Sequence, residues 1–273
     1  MSTDSQHDWK HWHEQRIETV SSPYGPLSLT GTHWLHDYPD GRIPDVPGQW
    51  MDDGDAVVLT AAAEDRISVD GQPLTGEVRL TADTGPIPAS RVETDGRRLF
   101  VMSREGLWAV RVFDPESPAR RVFTGLEVTP YDPNWVLPGR FRPYDEGRTT
   151  IQIENADGRV RGLGLAGEIA FDIDGEEHTL QVAIEDDGSL WAVFADATSG
   201  VSTYRFRFLR PAEPAADGTV TVDFNRALLP PCAFADHFIC PFPPPGNTLS
   251  VPVPAGERRL SPGGTPGGAS AGR

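Results

Sequence analysis

Two cysteines, Cys232 and Cys240, stand with seven residues between them around Asp236 and His237, inside the stretch TVDFNRALLPPCAFADHFICPFPPPGNTLSVPVPAGE. Four chemistries compete for that pair. With His237, the two thiolates are three soft ligands of the kind tetrahedral zinc prefers, but a fourth is missing and the spacing is not that of a CxxC knuckle. A disulfide would close a small loop and stabilise by about 2–3 kcal/mol, yet disulfides are rare in the reducing compartment expected for this chain. A nucleophilic thiolate would need a stabilising neighbour such as His237 or Arg226. Two buried thiols that anchor a proline-rich cap demand least. The pair is therefore read as structural or redox, and no metal is expected.

A second set of residues carries charge or hydrogen-bonding capacity where the pattern is otherwise apolar. Arg111 sits in the strand-like run AVRVFD, between Val110 and Val112. It either faces solvent or is buried and paired, with Asp196 or Asp223 as partner, since an unpaired buried guanidinium costs several kcal/mol. Asp196 ends an apolar run as DATSG, first of all a turn signature; its functional reading puts it beside Arg207, with Tyr204 lining a polar pocket. Arg226 follows Asp223 and Asn225 directly. Together with Asn247 and His33, the set Arg111, Asp196, Tyr204, Arg207, Asp223, Asn225 and Arg226 makes a candidate binding site. No residue is singled out as catalytic. The chain has no GxSxG, Walker loop or HExxH, and no Rossmann glycine pattern after a strand. Gly162 to Gly167 (GLGLAG) leads to a strand, not a helix N-terminus, and so lacks the dipole of a phosphate loop. No cofactor is implied.

The elements that must hold these residues read as β. Residues 4–19 form an amphipathic helix with Trp9 and Trp12 on one face and Asp4 as N-cap. Beyond it, short apolar runs are expected as strands at residues 27–35, 56–60, 66–69, 77–81, 98–103, 107–113, 121–124, 149–154, 168–173, 178–184, 190–195, 203–209 and 219–224. Asp-Gly pairs at 157–158, 174–175, 187–188 and 217–218 predict two-residue turns, which join only antiparallel neighbours. No crossover helix is visible. The fold class is mainly β, an antiparallel sandwich or rolled, barrel-like sheet with one N-terminal helix. The expected organisation is a helix over 1–22, a single β domain over 23–257 with a proline-rich capping loop at 226–250, and a disordered Gly/Pro/Ser tail over 258–273.

Composition excludes several partners. The chain of 273 residues has net charge −16 and only one lysine, Lys10, so it lacks the basic footprint of a nucleic-acid binder. No apolar run approaches the roughly 20 residues of a membrane span, and the N-terminus lacks a signal-peptide core. A cytoplasmic protein is expected, with no nucleic-acid or membrane partner; oligomeric state is not written in the sequence. Arginine in place of lysine fits a high-GC genome, and acidity fits a salty cytoplasm.

Several phrases together resemble DUF1684, a family of bacterial and archaeal proteins of unknown function: Gly25-Pro26-Leu27 with Thr32-His33-Trp34-Leu35; Val110 to Asp114 with Phe123-Thr124-Gly125; Pro130 with Trp135; Phe194 to Gly200 with Thr203-Tyr204 and Arg207-Phe208-Leu209. The block from Asp223-Phe224-Asn225-Arg226 through Pro231-Cys232-Ala233-Phe234 and Cys240-Pro241 to Ala255-Gly256-Glu257 is the most specific. The resemblance implies no reaction. Members often carry Glu where this chain has Gly246.

The functional expectation is an uncharacterised protein that binds or acts on a small polar or anionic ligand in a pocket under the proline-rich loop. The alternative is a non-catalytic interaction module presenting the loop's aromatics, Phe234, Phe238 and Phe242, to another protein.

Overall fold

The computed structural model describes residues 2–83, 91–145, 147 and 149–261. The chain divides into two compact units, residues 19–122 and residues 1–18 with 123–273.

In the first unit, strands β1 (Leu29–Trp34), β4 (Ile67–Val69), β5 (Gln72–Pro73), β7 (Val92–Thr94), β8 (Arg97–Arg104) and β9 (Leu107–Phe113) form a sheet in the order β1-β9-β8-β7-β4-β5. A second sheet, β2-β3-β6, uses Gln49–Asp52, Val57–Ala61 and Gly76–Leu80. Trp50, Leu59, Leu80, Leu99 and Val110 are buried in their shared core. Residues 121–124, expected as a strand, instead straddle a short helix α2 (Pro118–Val122). Ser117 Oγ accepts from Arg120 N at 3.3 Å, so the side chain before the helix favours a helical turn over an extended run.

The second unit opens with residues 2–18 of helix α1 (Ser2–Ser21). Its main sheet takes β11 (Val136–Pro143), β14 (Gly167–Ile173), β15 (Glu176–Ile184), β16 (Leu190–Phe194), β17 (Arg207–Leu209) and β18 (Thr219–Asp223), in the order β17-β16-β15-β14-β11-β18. The register is antiparallel throughout, as the hairpin dipeptides require, and the sheet curls as a half-barrel. Two smaller pairs complete the unit, β12 (Thr149–Glu154) with β13 (Val160–Leu165), and β10 (Leu126–Val128) with β19 (Glu257–Leu260). The last pairing overrides the expectation of a disordered tail from residue 258, because β10 offers that segment a backbone partner. The rest of the tail lies outside the described residues.

The turns depart from the sequence expectation in kind. Asp174-Gly175 is a two-residue hairpin with both residues at positive φ, 54° and 87°. The other three Asp-Gly pairs share a wider loop: Asn155 N, Glu185 N and Ala215 N each donate to the carbonyl four residues on, at 2.9 Å. There only the glycine has positive φ and the Asp carboxylate instead accepts a later backbone N–H. These are three-residue loops closed by a left-handed glycine. In the third, the turn precedes β18 and does not join it to β17, since those strands are opposite edges of the sheet. β11 and β13 escape sequence reading because Pro138, Pro143, Gly162 and Gly164 look like breakers; β13 is simply the return strand of a hairpin.

Strands β16 and β17 are apolar on both faces, and this positions everything else. Phe194 and Leu209 face the main core with Ile169, Phe171, Val222 and Phe224. Val193 and Phe208 face the other way, against Cys232, Cys240, Phe238 and Phe242 of the proline-rich loop. The loop is thus the layer that covers the second face of these strands. It is stitched to the neighbouring hairpin by Ala156 N to Cys240 O at 2.8 Å, Phe242 N to Glu154 O at 3.0 Å and Asn155 Nδ2 to Ile239 O at 3.0 Å.

Two substitutions test this frame. Gly256 has φ of 76°, and a Cβ there would lie 2.7 Å from the carbonyls of Ala227 and Phe224. Gly256→Ala should cost at least ~2 kcal/mol, read as a lower urea midpoint, from left-handed strain plus the clash. In the β12–β13 turn, Arg161 is 5% exposed and holds Asp157 through two contacts of 2.7 Å. Burial opposes ionisation of Asp157, but Arg161 and the turn N–H groups outweigh it and hold the carboxyl below its ordinary range. A depressed carboxyl stabilises the fold above its unfolded pKa and ceases to as pH falls through its folded one. Asp157→Asn should therefore cost about 1.5–3 kcal/mol at neutral pH by removing the charge-assisted bonds to Arg161, and the gap from the parent protein should close in acid.

Candidate functional site

The residues singled out in the sequence sort into four groups. Asp196 and Arg207 meet as a fully buried ion pair, Oδ2 to Nη2 at 2.7 Å with both side chains 0% exposed. The other carboxylate oxygen accepts from Thr198 N at 2.7 Å, Thr198 Oγ1 at 2.6 Å and Val253 N at 3.2 Å. The guanidinium also donates to Val253 O at 2.8 Å and to Ala255 O, with its carbon 5.2 Å from the Phe194 ring centre. Burial pushes the Arg207 pKa down and the Asp196 charge opposes that. The turn reading of DATSG is realised, and Asp196 does lie beside Arg207, but as a closed pair and not on the wall of a polar pocket. The pair holds the segment 253–255 against the sheet: Nη1 and Nη2 and both carboxylate oxygens are engaged by protein, and Nε is buried without a hydrogen-bond partner.

Asn247 and Asn225 are likewise consumed by structure. β15 and β16 pair only near their hairpin, at Ala183 with Trp191 and Ile184 with Leu190. Where they diverge, the Asn247 side chain fills the gap: Nδ2 donates to Gln181 O and Val193 O at 2.9 Å, and Oδ1 accepts from Gln181 N at 2.8 Å. A carboxamide carries the same donor and acceptor as a peptide unit, so it continues the ladder. Asn225 does the same for the loop before β11, exchanging bonds with Asp132 N and O at 2.9 Å.

The third group docks α1. Trp9 Nε1 donates to Asn225 O at 2.9 Å, and Arg226 lies 5.4 Å over Trp12. Arg16 reaches the fully buried Glu257 at 3.1 Å, whose second oxygen accepts from Leu229 N at 2.7 Å. Glu257, the last residue of the expected β domain, is not among the sequence's candidate site residues, because nothing in the Pro/Gly stretch before it signals burial. Asp223 caps the turn of Asn225 at 3.0 Å and pairs with Arg226 at 3.4 Å. These two, unlike the groups above, border open space. Arg226 and Asp223 line a groove of about 810 Å³ with Arg210, Glu213, Thr219 and Thr221. Its walls come from the ends of β17 and from β18, the two edges of the curled sheet. Arg210 was not singled out in the sequence; alternation along β17 from Phe208 places it on the outer face.

Tyr204 and the two cysteines form the fourth group. Tyr204 Oη lies 3.2 Å from Cys232 O and 3.7 Å from Cys232 Sγ, and Cys232 N donates to Cys240 Sγ at 3.3 Å. Both cysteines are free and buried. Among the described residues no group of three or more His, Cys, Asp or Glu could hold a metal ion. Arg111 and His33 belong to the other compact unit. Arg111 is half-buried opposite Thr32 and Phe100, and His33 meets the Tyr38 hydroxyl at 3.2 Å. The structure therefore gathers Asp223 with Arg226, and Tyr204 with the cysteines, while Asp196, Arg207, Asn225 and Asn247 serve the frame.

Removing one partner of the buried pair leaves the other charge stranded. Asp196→Ala should cost about 3–5 kcal/mol in a denaturant titration, and the double variant Asp196→Val with Arg207→Met should recover much of that loss.

No curated protein matches the chain. A solved structure that it resembles is the solution NMR structure of an uncharacterized protein of Haloarcula marismortui, at 32% identity over 53% of this chain and 82% of that one, with a TM-score of 0.43. The model of the family described as protein of unknown function (DUF1684) matches residues 121–258. That range holds the phrases from Phe123 to Glu257, while those from Gly25 to Asp114 precede it. The chain belongs to the DUF1684 family.

Proposed function

We propose that the protein binds a small polar or anionic molecule in the groove between the edges of its curled sheet, with Arg226 and Arg210 as the cationic contacts. The observation that supports this reading is the groove itself. Its volume of about 810 Å³ falls in the range of small-molecule sites, and it concentrates a few polar groups on an apolar lining, as such sites do. Pro138, Pro211 and Leu209 supply apolar wall, the Thr219 and Thr221 side chains supply hydroxyls, and Asp223 fixes Arg226 from one side. The guanidinium planes suit carboxylate or phosphate oxygens.

The proline-rich loop enters at its first residue, Arg226, and its aromatics pack inward. Phe234 is fully buried and Phe238 and Phe242 are half-buried, an arrangement that favours ligand binding over docking through exposed rings. Among the described residues no helix is long and apolar enough to cross a membrane. Both thiols are free, which fits the reducing compartment expected of a cytoplasmic protein.

Thermal-shift titration of the full chain with phosphate, sulfate, dicarboxylates and nucleotides tests the reading. A true ligand at about 100-fold above its Kd stabilises by about 2.7 kcal/mol. Arg226→Ala and Arg210→Ala should each abolish that shift while changing the unliganded melting point little. A shift of equal size in the variants, or none with any of these anions, would overturn it.

A further inference from the structure

The groove leaves the fourth group unused, and its chemistry is specific. Cys240 Sγ accepts from Cys232 N at 3.3 Å, which places the two sulfurs on the same side of the short turn Pro231–Ala233. The Tyr204 hydroxyl reaches Cys232 Sγ at 3.7 Å. The Arg205 guanidinium lies 5.7 Å from the Tyr204 ring centre and stacks over Phe242 at 4.7 Å. Buried cysteines that serve packing alone sit among apolar neighbours. Here one sulfur is met by a second thiol, a phenol and a cation, while the other apolar residues of the cluster (Val193, Phe206, Phe208) only wall it in.

We propose that Cys232 and Cys240 form a peroxide-oxidisable dithiol, with Cys232 as the attacking sulfur and Cys240 as the resolving one. The Cys232 thiolate attacks one oxygen of hydrogen peroxide; an S–O bond forms, the O–O bond breaks, and hydroxide leaves, taking up the proton that Cys232 gave. The Cys240 sulfur then attacks the Cys232 sulfenic sulfur. An S–S bond forms, the S–O bond breaks, and the departing hydroxide takes the Cys240 proton. Two thiols and one peroxide thus give one disulfide and two waters, with sulfur oxidised and peroxide reduced by two electrons. Three groups favour the anion on Cys232: the Cys240 S–H, the Tyr204 O–H and Arg205. Against burial, which opposes it, they bring the Cys232 pKa below its ordinary value, with the Cys240 bond the largest contribution. Tyr204 moves the opposite way: burial and the neighbouring sulfur push its hydroxyl up, so it stays a donor. A bridge that forms and breaks in this way is compatible with a reducing cytoplasm, where disulfides are transient and regulatory.

The test uses the reduced full chain. Stoichiometric hydrogen peroxide under native conditions should remove both free thiols and lower the intact mass by two hydrogens, reversibly with dithiothreitol. Cys240→Ser should stop at a sulfenic acid that dimedone traps at Cys232, and Cys232→Ser should trap none. Tyr204→Phe should slow the reaction roughly tenfold at neutral pH by removing one donor to the anion, and move its pH midpoint upward. Oxidation seen only in denaturant, dimedone labelling at Cys240 in place of Cys232, or a pH profile indifferent to Tyr204 and to Arg205→Gln would overturn the proposal. Both single-cysteine variants should keep the parent's anion-induced thermal shift, which separates this result from the fate of the groove.

Discussion

A buried charge must be answered, and in this unit the answer fixes the topology. Arg207 stands on a three-residue strand in the middle of an aromatic core, where a guanidinium without partners would be intolerable. Its partner Asp196 comes from the end of the neighbouring strand, and Nη1 and Nη2 also donate to carbonyls of residues 255 and 253. Through Nη1 and Nη2 alone, with Nε unpartnered, one side chain ties β17, the end of β16 and a distant extended segment into a single arrangement. Glu257, two residues further on, repeats the device with Arg16 and Leu229 N and so fixes the N-terminal helix. These pairs do not add much stability over apolar isosteres; they make alternative packings expensive.

The same economy explains the proline-rich loop. Strands β16 and β17 need cover on both faces, and a curled sheet supplies it on one. A helix would demand a periodic apolar stripe and its own caps. A chain with fixed φ at Pro230, Pro231, Pro241, Pro243, Pro244 and Pro245 loses less entropy on ordering. It can also set Phe234, Cys232, Cys240 and Phe242 at irregular intervals matched to the surface below.

Much of this was legible in the residues. Alternating apolar runs and Asp-Gly pairs announced an antiparallel β protein, and Trp9 with Trp12 announced a docked helix. DATSG does place Asp196 beside Arg207, though as a closed ion pair and not as part of a polar pocket, and the counter-charge argument made for Arg111 fails, since Asp196 and Asp223 belong to the other unit. The sequence was silent where main-chain geometry decides. β11 hides behind Pro138 and Pro143, and residues 258–260 read as tail until β10 is seen beside them. Asn247 and Asn225 look like ligand contacts by type, but tertiary gaps in the ladder claim their amides. Arg210 and Arg205 passed unnoticed because an exposed arginine has no local signature, only a place. The sorting of candidate residues into frame and open groove rests on distances that no spacing rule encodes.

A sheet whose continuity runs through one carboxamide inherits the chemistry of that amide. Hydrolytic loss of ammonia at Asn247 would put a carboxylate oxygen where Nδ2 now faces the carbonyls of Gln181 and Val193. Two attractions become two repulsions, and β15 and β16 are driven apart at the place where no main-chain rung holds them. Ageing of the molecule by this route would begin as a split in the wall behind the proline-rich loop, long before any residue of the groove is altered.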